Sequence, residues 1–190
     1  MKDNSMHIQS LTTDRLRLVP LSLEHSEGMF RLWSAPEVCQ YSGDVSNREG
    51  ILLPMPAADP SISDQIIEFW LHAAADGWGL RWAITEKDTQ KFFGIVGFNS
   101  LSEASEIAYH LLPIVWGRGL MSQAVTAAMA WRRNRGGCTA FDAFIDPQNT
   151  KSVALAKRLG FGATETFSEG AQLYRLDSRN APTKHLKPAR

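Results

Sequence analysis

The stretch V-W-G-R-G-L-M-S-Q-A, Val115 to Ala124, decides how the chain is read. Before it runs Glu106-Ile-Ala-Tyr-His-Leu-Leu112, whose pattern suits a strand. After it, Leu120, Ala124, Ala127 or Ala128, and Trp131 recur at helical spacing until Gly136-Gly137 stops them. A strand feeding a glycine-rich turn and then a helix start makes an anion site. The first N–H groups of the helix lack internal partners, and the dipole adds roughly half a positive charge there. Gly117 and Gly119 carry no Cβ, so the backbone can approach a phosphate closely. From Ile107 to Phe141 there is no Asp or Glu. Arg118 lies in the turn and can pair with a phosphate; Arg132, Arg133 and Arg135 are expected on a solvated helix end.

Two phosphate motifs can be tested against this turn. A P-loop is excluded, because no Gly-Lys-Ser/Thr follows. A dinucleotide fingerprint is closer: Gly117-x-Gly119-x-x-Ser122 nearly matches, and Asp142 falls about 20 residues on. Against it, Ser122 replaces the third glycine, the preceding strand carries polar groups, and one complete crossover is visible. The turn is expected to hold a pyrophosphate, but not that of NAD.

Working outward, Arg15 to Val19 alternates as a half-buried strand. Ser22 to Trp33 reads as a helix. From Ala35 to Ser61 the pattern breaks down among prolines, and this stretch is expected to be a lid over a binding site. A second helix, Gln65 to Ala75, is capped by Ser63 or Asp64 and stopped by Gly77. Runs at Leu80–Thr85, Phe92–Leu101 and Glu106–Leu112 suggest an antiparallel meander. Thr139–Ile145 is a further strand, Asn149–Leu159 a further helix, and two strand-like runs follow around Glu169-Gly170. This order gives an α/β architecture on a mixed sheet.

The chain has 190 residues, 44% hydrophobic, enough for one domain with a sizeable core. Lys plus Arg and Asp plus Glu both count 20, which argues against a general nucleic-acid binder. Cys39 and Cys138 have no metal-ligand spacing, and no metal is expected. The N-terminus has no apolar signal region, and no apolar run approaches the roughly 18 residues of a membrane helix. A cytoplasmic protein without membrane contact is the expectation. Residues 178–190, basic and without acids, read as a solvated tail.

Three stretches carry a family resemblance. They are Thr13-Asp-Arg-Leu-Arg-Leu-Val-Pro20, Glu106 through Ala124, and Asp146-Pro-Gln-Asn-Thr150 through Leu159-Gly-Phe161. Together they resemble the GNAT superfamily of acyl-CoA-dependent N-acetyltransferases, within it the RimJ/RimL-like branch. The resemblance implies a single domain with a mixed, mostly antiparallel sheet of about seven strands and about four helices. It implies that the fourth and fifth strands splay apart and that acetyl-CoA is the co-substrate. Its pyrophosphate would lie on Trp116, Gly117, Arg118, Gly119, Leu120, Met121 and Ser122. Its pantetheine would pair with strand backbone near Leu111 and with Asn149, which can also cap its helix.

The implied chemistry is direct attack of a primary amine on the thioester. A base must take the amine's proton, and a strand N–H near Leu111 can stabilise the oxyanion. Glu106, Ala108 and His110 share one strand face. Glu106 is the first candidate base, and His110 the second, having a suitable ordinary pKa. The tyrosine acid that many members carry falls here on Ala156 and is missing. The acceptor is a protein N-terminus or a small amine; Asp44 and Asp59 near the lid could attract a cation but are expected as ordinary surface carboxylates. A homodimer is one option for assembly. Two rival readings stay open: a non-catalytic acyl-CoA-binding module, and a dinucleotide-binding oxidoreductase.

Overall fold

A computed structural model describes residues 8–182 and 187–188. Its sheet contains β1 (Leu11–Thr12), β2 (Leu16–Pro20), β3 (Leu80–Glu86), β4 (Phe92–Ser100), β5 (Ala104–Leu111), β6 (Ala140–Ile145), β7 (Gly162–Ser168), β8 (Ala171–Asp177) and β9 (Lys187–Pro188). The helices are α1 (Ser26–Trp33), α2 (Pro36–Cys39), α3 (Pro60–Asp76), α4 (Leu120–Asn134) and α5 (Thr150–Arg158). The strand order is β7-β8-β6-β5-β4-β3-β2-β1-β9. Every pairing is antiparallel except β5 with β6. The fold is the expected mixed α/β sheet; the elements beyond the expected number are the two-residue β1 and β9 and the one-turn α2.

Alternation along the central strands explains their sandwiching. On β3, Leu80, Trp82 and Ile84 face one apolar cluster with α4 and α5, while Ala83 faces a second cluster with α1 and α3. A strand covered on both sides reads as a nearly continuous apolar run, and Phe92 to Phe98 does so. Trp131 of α4 meets Trp82 edge-on at 4.8 Å between centroids, which fixes α4 against β3 and β4.

Several expectations change. α3 starts at Pro60, with Asp59 as N-cap accepting from Ser61 N–H at 2.9 Å. The proline suits the first helical position, a signal that the Ser63/Asp64 reading passed over. Asp59 itself is exposed, as expected, and serves as the cap. The expected lid is tied down: Asn47 donates to Gln65 of α3 at 3.0 Å, and Val38 and Ala57 are buried against α1 and α3. Arg132 is buried, donating to Ser105 Oγ at 2.9 Å, Gly136 O at 2.7 Å and Leu101 O at 2.9 Å. It locks the C-terminus of α4 to the β4–β5 turn instead of lying in solvent. Part of the expected tail is anchored: Ser178 and Ala181 are buried, and Ser178 Oγ donates to Cys138 O at 2.7 Å. Residues 183–186 and 189–190 lie outside the described residues.

Candidate active site

The glycine turn sits between β5 and α4. Gly117 and Gly119 have φ of 75° and 70°, a left-handed backbone that only glycine adopts freely. Gly119 is the N-cap, and no side chain caps α4. The N–H groups opening α4 therefore have no partner within the helix. Leu120 is buried; Gly117, Arg118 and Gly119 are exposed, and Met121 and Ser122 are half-buried. One expected donor drops out. The Trp116 N–H donates to Pro113 O at 3.1 Å, so the free amides begin at Gly117.

A residue distant in sequence braces this loop. Arg15 Nη2 donates to Arg118 O at 2.8 Å. With the Gln123 amide oriented to satisfy both neighbours, its oxygen accepts from Arg15 Nη2 and Nε at 3.1 Å, and its nitrogen donates to Thr13 Oγ1 at 3.0 Å. The opening Thr13-Asp-Arg15 run is thus part of the site, a role that strand alternation alone does not reveal. From the other side, Lys151 Nζ lies 4.1 Å over the Trp116 ring and ties α5 to the turn.

β5 and β6 pair at only three registers, Ala104 with Ala140, Ser105 with Phe141 and Glu106 with Asp142, and diverge beyond them. This is the expected splay; β1 shifts the strand numbers by one. On the other side β5 pairs with β4 as far as Leu111, and Leu112 N–H donates to Phe93 O at 2.8 Å. Alternation then aims the N–H and C=O of Tyr109 and Leu111 into the splay. The Leu111 carbonyl is taken by Trp116 Nε1 at 2.8 Å, which leaves its N–H as the strand-end donor. Across the gap, Asn149 Oδ1 accepts from Ser152 N–H at 3.1 Å. Its capping role is therefore filled by the oxygen, and the amide nitrogen is left for other partners.

Glu106, at the apex of the splay, receives a hydrogen bond from Asn99 Nδ2 at 2.5 Å. Asp142 beside it is paired with Arg175 Nε and Nη2 at 2.7 and 2.6 Å. His110 lies on the same face of β5, its ring 4.8 Å from that of Trp33. Burial and the nearby Arg81 charge push its pKa down to about 3. An imidazole shifted in this way is neutral at neutral pH and a weak proton acceptor. Its Nδ1 and Trp33 Nε1 are buried without partners within the protein. On the opposite face of β5, burial raises the Tyr109 hydroxyl to about 12, and the nearby Ser152 hydroxyl opposes the rise. Ser152 precedes Ala156 by four residues, so it stands on the same helix face as the missing tyrosine.

Among the described residues no group of three or more His, Cys, Asp or Glu could hold a metal ion, and no helix is long and apolar enough to cross a membrane. Cys39 and Cys138 are free thiols.

A family model described as an acetyltransferase (GNAT) domain matches residues 15–162, and the chain belongs to that family. It is 28% identical over 157 residues to an uncharacterized N-acetyltransferase, p20, of Bacillus licheniformis, covering 81% of this chain and 83% of that protein. The fold resembles the acetyltransferase of Agrobacterium tumefaciens str. C58 with a TM-score of 0.71 at 22% identity, covering 93% of this chain and 98% of the other. It also resembles RimL, a ribosomal L7/L12 alpha-N-protein acetyltransferase solved in complex with coenzyme A, with a TM-score of 0.72 at 17% identity, covering 89% of this chain and 98% of that one.

Proposed function

We propose that the protein transfers an acetyl group from acetyl-CoA to a primary amine by direct attack in a ternary complex. The observation that carries this is the β5–β6 splay, with the Leu111 N–H aimed into it, an uncapped α4 at one end and Glu106 at its apex. Acetyl-CoA supplies the acetyl thioester. The amides from Gly117 to Ser122, with Arg118, bind its pyrophosphate. The backbone of Tyr109, together with Asn149, aligns the pantetheine arm. The Leu111 N–H stabilises the developing oxyanion.

Glu106 takes the proton that the amine loses as the nitrogen–carbon bond forms and the carbon–sulfur bond breaks. The departing sulfur meets the Tyr109–Ser152 hydroxyl pair. With Tyr109 near 12, full proton transfer to a thiolate of ordinary pKa, about 8.5, is uphill by about 5 kcal/mol. The pair therefore donates a hydrogen bond, and solvent delivers the proton. Support for acyl transfer comes from the family match; the RimL neighbour makes a protein N-terminus one acceptor to test, alongside small amines.

The experiment is thiol release from acetyl-CoA across amino-terminal peptides, polyamines and amino acids, with calorimetry of acetyl-CoA binding. E106Q lowers turnover by more than about tenfold while binding is retained. Tight binding by the wild type with no turnover on any amine would mark a non-catalytic module.

A further inference from the structure

Arg81 is a buried cation beside the site that the reaction above does not use. Its Cζ lies 3.5 Å from the centroid of the Trp70 ring, and Nη1 donates to Leu80 O at 3.0 Å. Nη2 donates to Asn99 Oδ1, and Asn99 Nδ2 donates to Glu106 Oε1. Three strands, β3, β4 and β5, thus contribute one chain of polar groups running cation, amide, anion.

The order of that chain fixes its geometry. A guanidinium offers only donors and an ionised carboxylate only acceptors. The amide between them therefore fits one way: carbonyl toward Arg81, NH2 toward Glu106. A turned amide would set donor against donor and acceptor against acceptor. Burial lowers the Arg81 pKa to about 9 with the Glu106 charge opposing the fall, so the cation persists at neutral pH. Trp70 and Asn99 lie against it, and its hydrogen-bonded link to Glu106 runs through the amide.

We propose that Arg81 and Asn99 are positioning residues for the base: Arg81 sets the Asn99 amide, and Asn99 holds one oxygen of Glu106 so that the other meets the amine. This rests on the assignment of Glu106 above. Neither residue touches the reacting atoms. Their effect therefore passes through Glu106 and vanishes when that carboxylate is removed.

A double-mutant cycle tests this with purified protein, acetyl-CoA and the best amine found. N99L lowers kcat by about tenfold and leaves the KM for acetyl-CoA within about twofold. Introduced into E106Q, the same change alters kcat by less than about twofold, since interacting residues are non-additive. R81M behaves like N99L, and R81K recovers most of the loss. If N99L or R81M fails to give a cooperative melt, R81M/N99L replaces both polar partners with apolar groups of similar length and carries the same cycle. Wild-type kcat in N99L beside an inactive E106Q overturns the inference, as does a full additional loss in the E106Q background. Full activity in E106Q instead overturns the assignment of Glu106.

Discussion

Replacing Gly119 separates backbone conformation from side-chain bulk. Gly119 sits at φ 70° and ψ 11°, squarely left-handed. Holding an L-residue there costs about 1–2 kcal/mol, more for a β-branched one. Bulk adds little within the protein, because a Cβ at 119 would meet only Arg15 Nη2, at 3.7 Å, an ordinary contact. The cost appears in one of two places. If the loop keeps its shape, folding bears it, and the melting temperature falls by about 2–4 °C per kcal/mol. If the loop relaxes, the amides from Gly117 turn away and the Kd for coenzyme A rises by about five- to thirtyfold. Calorimetric titration with coenzyme A, paired with thermal melts, reads both in Gly119→Val. Gly119→Asn is the control, since asparagine tolerates the left-handed region. It is expected to retain most of the affinity and stability. Val with neither change would refute the loop's role. Equal losses in Asn and Val would refute the conformational argument and assign the effect to the closeness of the phosphate.

Arg15→Ala removes the brace on the Arg118 carbonyl at an exposed site; the Kd for coenzyme A is expected to rise about three- to tenfold with little change in melting temperature. Arg132→Met leaves the buried Ser105 hydroxyl and several part-buried carbonyls without a donor, and calorimetry should show a loss of about 3 kcal/mol, or about 6–12 °C. His110, depressed to about 3 in the folded state, stays neutral where the unfolded chain takes up a proton, so stability falls as pH drops below the ordinary histidine value of about 6.5. The loss reaches about 2 kcal/mol at pH 5, and His110→Gln should flatten this dependence in denaturant melts at pH 5 and 7. A steep dependence persisting in that variant would place the proton uptake elsewhere.

Much of the fold was readable because its signals are local. The alternation in Arg15 to Val19, the stripe Leu120–Ala124–Ala128 and the stops at Gly77 and Gly160 all follow from backbone geometry and burial period. The start of α3 was misjudged where apolar periodicity was weighed above the Asp59-Pro60 cap signal. Arg132 was placed in solvent because a charged residue near a helix end is usually exposed, and nothing in its neighbours announces the carbonyls that receive it. The glycines of the turn were legible, whereas the Arg15 brace joins residues 103 positions apart.

The sequence by itself determined the strand, the glycine turn and the helix start, because φ preferences and residue periodicity act within a few residues. Only the tertiary structure decided that Asn99 meets Glu106 while Arg175 pairs with Asp142, that the His110 pKa falls, and that the Tyr109 pKa rises. Those properties depend on desolvation and on charges brought together from β3, β4, β5 and α5. Proton affinity follows the surroundings in space, and no local pattern along the chain encodes them.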